Sequence, residues 1–203
     1  MVTRTSSPPA PLATPGIGVP PLARILGIVG MIGSPFLGLE FASQGLEEGS
    51  SDRFGATLGL IFTVGWFCNA LGLLLLGVTG RRLPARILLW VELIGVVLAS
   101  LFQVYEIVAP GSDSLLYTIT DIAWPLSMVV LLISGIVAIV ARRFDGWLRF
   151  TPAFAAAWLP LGLFVYPLLG EAPGLAAAGL HTAIGWFLIG YAIFRGGKLS
   201  ARA

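Results

Sequence analysis

Six apolar stretches, each about 20 residues long, divide the chain, and charge is confined almost wholly to the gaps between them. A stretch of that length crosses about 30 Å of hydrocarbon as an α-helix rising about 1.5 Å per residue. The pattern predicts spans at 22–44, 54–79, 86–109, 115–141, 151–169 and 174–194. Helix breakers mark the joins. Gly80 and Pro84 separate the second span from the third, and Pro110-Gly111 separates the third from the fourth. Thr151-Pro152 reads as an N-cap followed by Pro at the first helical position, and Pro173-Gly174 opens the sixth span. The expected fold class is an all-α integral membrane protein: a bundle of six transmembrane helices forming one domain over residues 22–195.

The flanks read differently. Residues 1–21 hold Pro8, Pro9, Pro11, Pro15, Pro20 and Pro21 without apolar periodicity, which predicts a disordered tail. A cleaved signal peptide fits less well, because the first apolar run is too long for an h-region and lacks a small-x-small exit. Residues 196–203 make a short basic tail.

Composition agrees with this pattern. Soluble domains carry about 25% charged residues; this chain carries 11%, beside 57% hydrophobic residues. The sign of the charge adds an orientation. Arg4 and Arg24, Arg81, Arg82 and Arg86, Arg142, Arg143 and Arg149, and Arg195, Lys198 and Arg202 all fall on one side of the predicted topology. The other side holds Arg53 with Glu47, Glu48, Asp52, Asp113 and Glu171. Eleven of twelve basic residues thus share a side, so both termini are expected in the cytoplasm. The expected location is a cell membrane, as a multi-pass protein of the bacterial inner membrane. A pI near 9.0 would otherwise suggest nucleic acid. Topology alone explains these basic residues, so the expected partner is the lipid bilayer and no nucleic-acid partner is expected.

Polar residues inside the spans carry the candidate chemistry, because each is costly in hydrocarbon. On the predicted topology Glu40, Gln103, Glu106, Asp121, Tyr166 and the only histidine, His181, fall in the outer half of the bundle. Glu92 stands apart, nearer the cytoplasmic end of the third span. On that span Glu92, Gly95, Ala99, Gln103 and Glu106 recur every three or four residues, a stripe suited to the bundle interior. Asp121 precedes Pro125 by four residues, so its carbonyl loses a helical donor. Trp124 shares roughly the face of Asp121 and is placed to wall a pocket; Trp66, Trp158 and Trp186 are also deep and suit packing between helices.

The resulting expectation is a polar cavity, open to the outer side and built from Glu40, Gln103, Glu106, Asp121, His181, Trp124 and Tyr166, that binds or transports a small solute or cation. Asp121 and His181 would be its proton- or cation-responsive pair. Two alternatives come from other classes. One is a membrane-embedded, metal-dependent hydrolase using the same acids with His181; the other is a non-catalytic structural or accessory subunit. No HExxH, GxSxG or GxxxxGK[ST] motif and no pair of histidines for haem is present, so neither a catalytic set nor a cofactor is assigned, and no metal site is expected. Cys68, alone, cannot form an internal disulfide and suits a small core residue. Gly55 with Gly59, and Ser34 with Gly38, are small-xxx-small pairs that allow close helix approach within the chain or in a homo-oligomer. Gly65-Trp66-Phe67 recurs as Gly185-Trp186-Phe187, four spans apart, which fits no two-fold repeat.

Overall fold

The computed structural model describes residues 19–43, 53–80 and 82–196, and every regular element among them is helical. Most of the Pro-rich tail, most of the basic tail, and Glu47, Glu48 and Asp52 lie outside the described residues. The first apolar run forms α1 (Pro21–Gly33) and α2 (Phe36–Ser43). Then come α3 (Arg53–Leu76), α4 (Leu83–Val108) and α5 (Leu115–Ala141). A 3-10 turn (Gly146–Phe150), α6 (Thr151–Ala156), α7 (Trp158–Phe164) and a second 3-10 turn (Tyr166–Leu169) lead to α8 (Glu171–Arg195).

Among the described residues, five stretches are long and apolar enough to cross a membrane: Pro21–Ser43, α3, α4, α5 and α8. The predicted span at 151–169 is not among them, because it is a string of short helical pieces rather than one helix. Proline is the physical reason. Pro160 withholds a donor from the carbonyl of Ala156, and Pro167 does the same to that of Leu163. The chain turns at Ala157 and again at Val165. Pro35 breaks the first run in the same way, leaving the carbonyl of Met31 without its helical donor; the Ser34 hydroxyl donates to it at 2.8 Å. Pro125, by contrast, leaves α5 continuous. Helix α8 begins three residues before the expected start, since Pro173 falls in its first turn, where an N–H has no helical partner to lose.

The broken segment, together with the 3-10 turn that precedes it, nonetheless runs along most of α8. Trp147 stacks on Tyr191, with ring centroids 6.4 Å apart. Trp158 Nε1 donates to the carbonyl of Ala178 at 3.1 Å. A Cβ on Gly174 would lie 2.6 Å from the carbonyl oxygen of Tyr166. From Tyr191 to Gly174 is roughly 25 Å of helix at about 1.5 Å per residue.

The elements close into a ring. The α1–α2 run packs against α3 and α8, α3 against α4, α4 against α5, α5 against α6, and α6 against α8. One end of the bundle, here the distal end, gathers Ser43, Arg53, Val108, Leu115 and Glu171. The core holds Phe62, Trp66, Leu73, Leu131, Ile189 and Trp186. The outside is apolar: Ile87, Val91, Ile94 and Val97 on α4 and Ile119, Ile122, Leu126 and Ile133 on α5 are exposed. An apolar perimeter around a core that holds polar groups suits hydrocarbon as the solvent. The small-residue faces are used inside the chain. A Cβ on Gly38 would sit 3.0 Å from the Gly179 carbonyl oxygen, and Gly59 faces side chains of α2 and α4.

Candidate functional site

The expected outer-half residues separate into two groups. The first lies at the distal end among α2, α3, α4 and α5. A Cβ on Gly59 would meet Glu40 Oε2 at 2.5 Å and Gln103 Nε2 at 2.6 Å, so a carboxylate from α2 and an amide from α4 lean over one glycine of α3. Any larger residue at 59 would displace one of them. Gln103 is buried and Glu40 half-buried. One turn further out on α4, Glu106 accepts a hydrogen bond from the Tyr117 hydroxyl of α5. The Tyr117 ring is wedged between Phe102 and Tyr105, at centroid distances of 5.3 and 6.1 Å.

The second group lies where the broken segment meets α8. His181 Nε2 is 2.8 Å from the carbonyl oxygen of Phe154. A carbonyl only accepts, so Nε2 carries the hydrogen in that bond. The carbonyl of Phe154 belongs to the last turn of α6, where it also accepts from the Ala157 N–H at 3.2 Å in place of a regular helical donor. The Tyr166 hydroxyl bonds to the other ring nitrogen, Nδ1. The imidazole thereby ties α6 and the 3-10 turn at Tyr166 to α8, with both nitrogens engaged.

Asp121 joins neither group as an interior residue. It is exposed on α5, one turn from Tyr117 on the same face. With His181 bonded to Phe154 and Tyr166, the expected Asp121–His181 pair is not formed. Trp124 is half-buried and meets Trp66 and Trp158 edge-on, at 6.3 and 5.3 Å between centroids. It is a link in an aromatic chain from Phe41 through Trp158, Trp124 and Trp66 to Trp186. A cleft of about 670 Å³ opens beside this chain, lined by Phe41, Trp158, Leu163, Tyr166, Glu171 and Leu175. Among the described residues no three of His, Cys, Asp and Glu gather as metal ligands. The hydrolase alternative therefore lacks a ligand set there.

The residue that depth alone set aside is, among the described residues, the most deeply buried acid. Glu92 is 0% exposed, and its Oε1 accepts a hydrogen bond from Trp66 Nε1 at 3.3 Å. The signal was in the spacing: the stripe of Glu92, Ala99 and Gln103 is the buried face of α4.

No family model, no curated protein and no solved structure matches this chain.

Proposed function

We propose that the chain is a multi-pass protein of the bacterial inner membrane with six crossings and both termini in the cytoplasm, and that it binds a small cation or polar solute from the outer, distal side. The sixth crossing is the broken segment. Its support is the track that it and the 3-10 turn before it follow along α8, from Trp147 at Tyr191 to Tyr166 at Gly174, roughly 25 Å at about 1.5 Å per residue. The orientation rests on the sidedness of the basic residues. Cysteines placed one at a time at Arg143 and Glu171, with Cys68 replaced by Ala, test both: an impermeant thiol reagent added outside intact cells should label position 171 and spare 143. Equal labelling would remove the sixth crossing.

The binding site we assign is the distal meeting of Glu40 and Gln103 over Gly59, and that convergence carries the reading. A carboxylate oxygen is a hard ligand suited to a small cation, and the Gln103 amide, whose nitrogen lies over Gly59, brings its oxygen to the same cation by turning over. Transport across the bundle is the activity such a site would serve. Purified protein in lipid nanodiscs should gain thermal stability with sodium, potassium or magnesium chloride relative to choline chloride, and Glu40→Gln and Gly59→Leu should each abolish the gain. If none of the three salts stabilises the wild type, the cation site is refuted.

A further inference from the structure

Outside the distal site, the most unusual chemistry is at the centre of the bundle. Glu92 lies nine residues into α4 from Leu83 and sixteen short of its end at Val108. Its carboxyl is shielded on all sides, and the Trp66 and Trp186 side chains near it are 1% and 0% exposed. Oε1 has the Trp66 indole N–H as its donor. Oε2 is buried with no partner, and so is Nε1 of Trp186, whose ring meets that of Trp66 edge-on at 5.6 Å. Nε1 of Trp124, on the other side of Trp66, is a third buried group without a partner. Unsatisfied polar atoms are rare inside proteins, and several grouped about one ring call for an occupant.

The charges around Glu92 define what that occupant is. The helices packed against α4 are α3 and α5. From α3 the group that faces Glu92 is Trp66; Cys68, two residues on, projects from the other side of that helix. From α5, Ser127 approaches at Gly95, with its hydroxyl donating to Ala123, while Tyr117 and exposed Asp121 lie toward the distal end. On α4 itself Arg86 is exposed at one end, and Tyr105 and Glu106 lie near the other. His181 of α8 is bonded to Phe154 and Tyr166. No described lysine or arginine is buried. An ionised carboxylate would therefore lack a counter-charge where one is most needed. Glu92 is also 0% exposed, so whatever partners Oε2 is shut off from the membrane around the bundle.

We propose that Glu92 is a proton-binding site at the core of the bundle, holding a carboxylic acid between Trp66 and an internal water and exchanging its proton through that water. The balance is simple. The Oε2–H bond breaks to leave a carboxylate and a protonated water, and reforms by the reverse step; nothing is oxidised or reduced. This inference goes beyond the distal cation site and does not rest on it.

Infrared difference spectroscopy of the protein in lipid reads the group directly. The wild type should show a protonated-carboxyl C=O band that moves on exchange into D2O, loses intensity as pH is raised, and disappears in Glu92→Gln. Glu92→Gln keeps an acceptor for Trp66, and Trp66→Phe guards against a folding artefact by leaving the acid in place. In Trp66→Phe the band should persist at higher wavenumber, because one hydrogen bond to the carboxyl is gone. The band should be unchanged in Glu40→Gln, which separates this result from failure of the distal site. A band that Glu92→Gln leaves intact, or one that stays constant over the whole pH range in which the protein is folded, overturns the proposal.

Discussion

His181 and Glu92 are both buried, titratable and roughly a helix turn or two from the middle of the bundle, yet the fold treats them in opposite ways. His181 spends both ring nitrogens on joining other segments: the carbonyl of Phe154 at the end of α6 and the hydroxyl of Tyr166. Glu92 spends one oxygen on Trp66 and leaves the other without a protein partner. The difference teaches how to tell structural from chemical polarity in a membrane bundle. A polar side chain that answers a defect in the backbone is accounted for once the defect is found. One that answers nothing in the protein is kept for something else.

The comparison breaks most readily at the histidine. His181→Ala removes both hydrogen bonds, leaves the Phe154 carbonyl with only the Ala157 N–H as donor, and opens a void between α6 and α8. We expect a loss of about 2 kcal/mol, since polar contacts in membranes average below about 1 kcal/mol each and the cavity adds to them. Unfolding in mixed SDS micelles measures it. Proteolysis should find the broken segment first, at 157–170, because that segment loses two of its ties to α8. A variant as stable as wild type would show that His181 does not hold the segment.

A smaller effect is expected one turn from Glu92. Gly95 faces Ser127 so closely that its Cβ would strike the serine hydroxyl. Gly95→Ala should cost about 1 kcal/mol by overpacking the α4–α5 contact. Ser127→Ala in the same chain should recover most of that loss, because the hydroxyl is the atom in the way. If the double variant is no better than the single one, the contact is not the source of the cost. The pair also tests how tightly the region around Glu92 is closed.

Much of this was legible in the sequence, and for identifiable reasons. The runs that became α3, α4 and α5 are long and apolar, with only Pro125 of α5 as an internal proline beyond the first turn, so length and hydropathy were sufficient. The interior face of α4 was legible because Glu92, Ala99 and Gln103 repeat at helical spacing. The run at 151–169 was read as one helix because its apolar content outweighed Pro160 and Pro167. Prolines are tolerated within membrane helices when other groups satisfy the freed carbonyls, as the unbroken α5 around Pro125 shows. The side chain that bonds the Phe154 carbonyl before this break, His181, lies 27 positions away in sequence, so its role was invisible to local reading. Depth along a helix was also readable, but rotation was not. Asp121 is exposed on α5, and a polar residue beside Pro125 says nothing about which neighbour α5 turns toward. The distal convergence of Glu40 and Gln103 needed a third party, Gly59, whose spacing suggested close approach without saying to what.

The next prediction concerns sign more than size. Glu92→Leu replaces the acid by an apolar side chain of similar volume, removing the orphaned Oε2 while leaving the Trp66 indole N–H without an acceptor. These effects oppose each other, and exchanging a buried polar group for a well-packed apolar one is often neutral or favourable. The expected change is within about 1 kcal/mol of zero, against about 2 kcal/mol for His181→Ala. Unfolding of the two variants side by side in the same micelles decides it. A loss for Glu92→Leu as large as that for His181→Ala would make Glu92 a structural tie, and the contrast between the two residues would collapse.

The smallest effect should come from Asp121→Asn. Its sequence position beside a helix-loosening proline invited a functional role, but its side chain is exposed on the perimeter of α5 and makes no tie to His181. Exposed substitutions away from packed features change stability by less than about 0.5 kcal/mol. The expected outcome is unchanged unfolding, an unchanged response to the salt panel that tests Glu40 and Gly59, and an unchanged Glu92 infrared band. The neighbouring Tyr117 makes the test sharper. Its hydroxyl already serves Glu106, so Asp121 can act on the distal group only through the field of its charge, which the neutral Asn removes without altering shape. A salt response lost in Asp121→Asn would mean that the distal group extends onto the outer face of α5 and that its cation is held between helices and headgroups, not over Gly59.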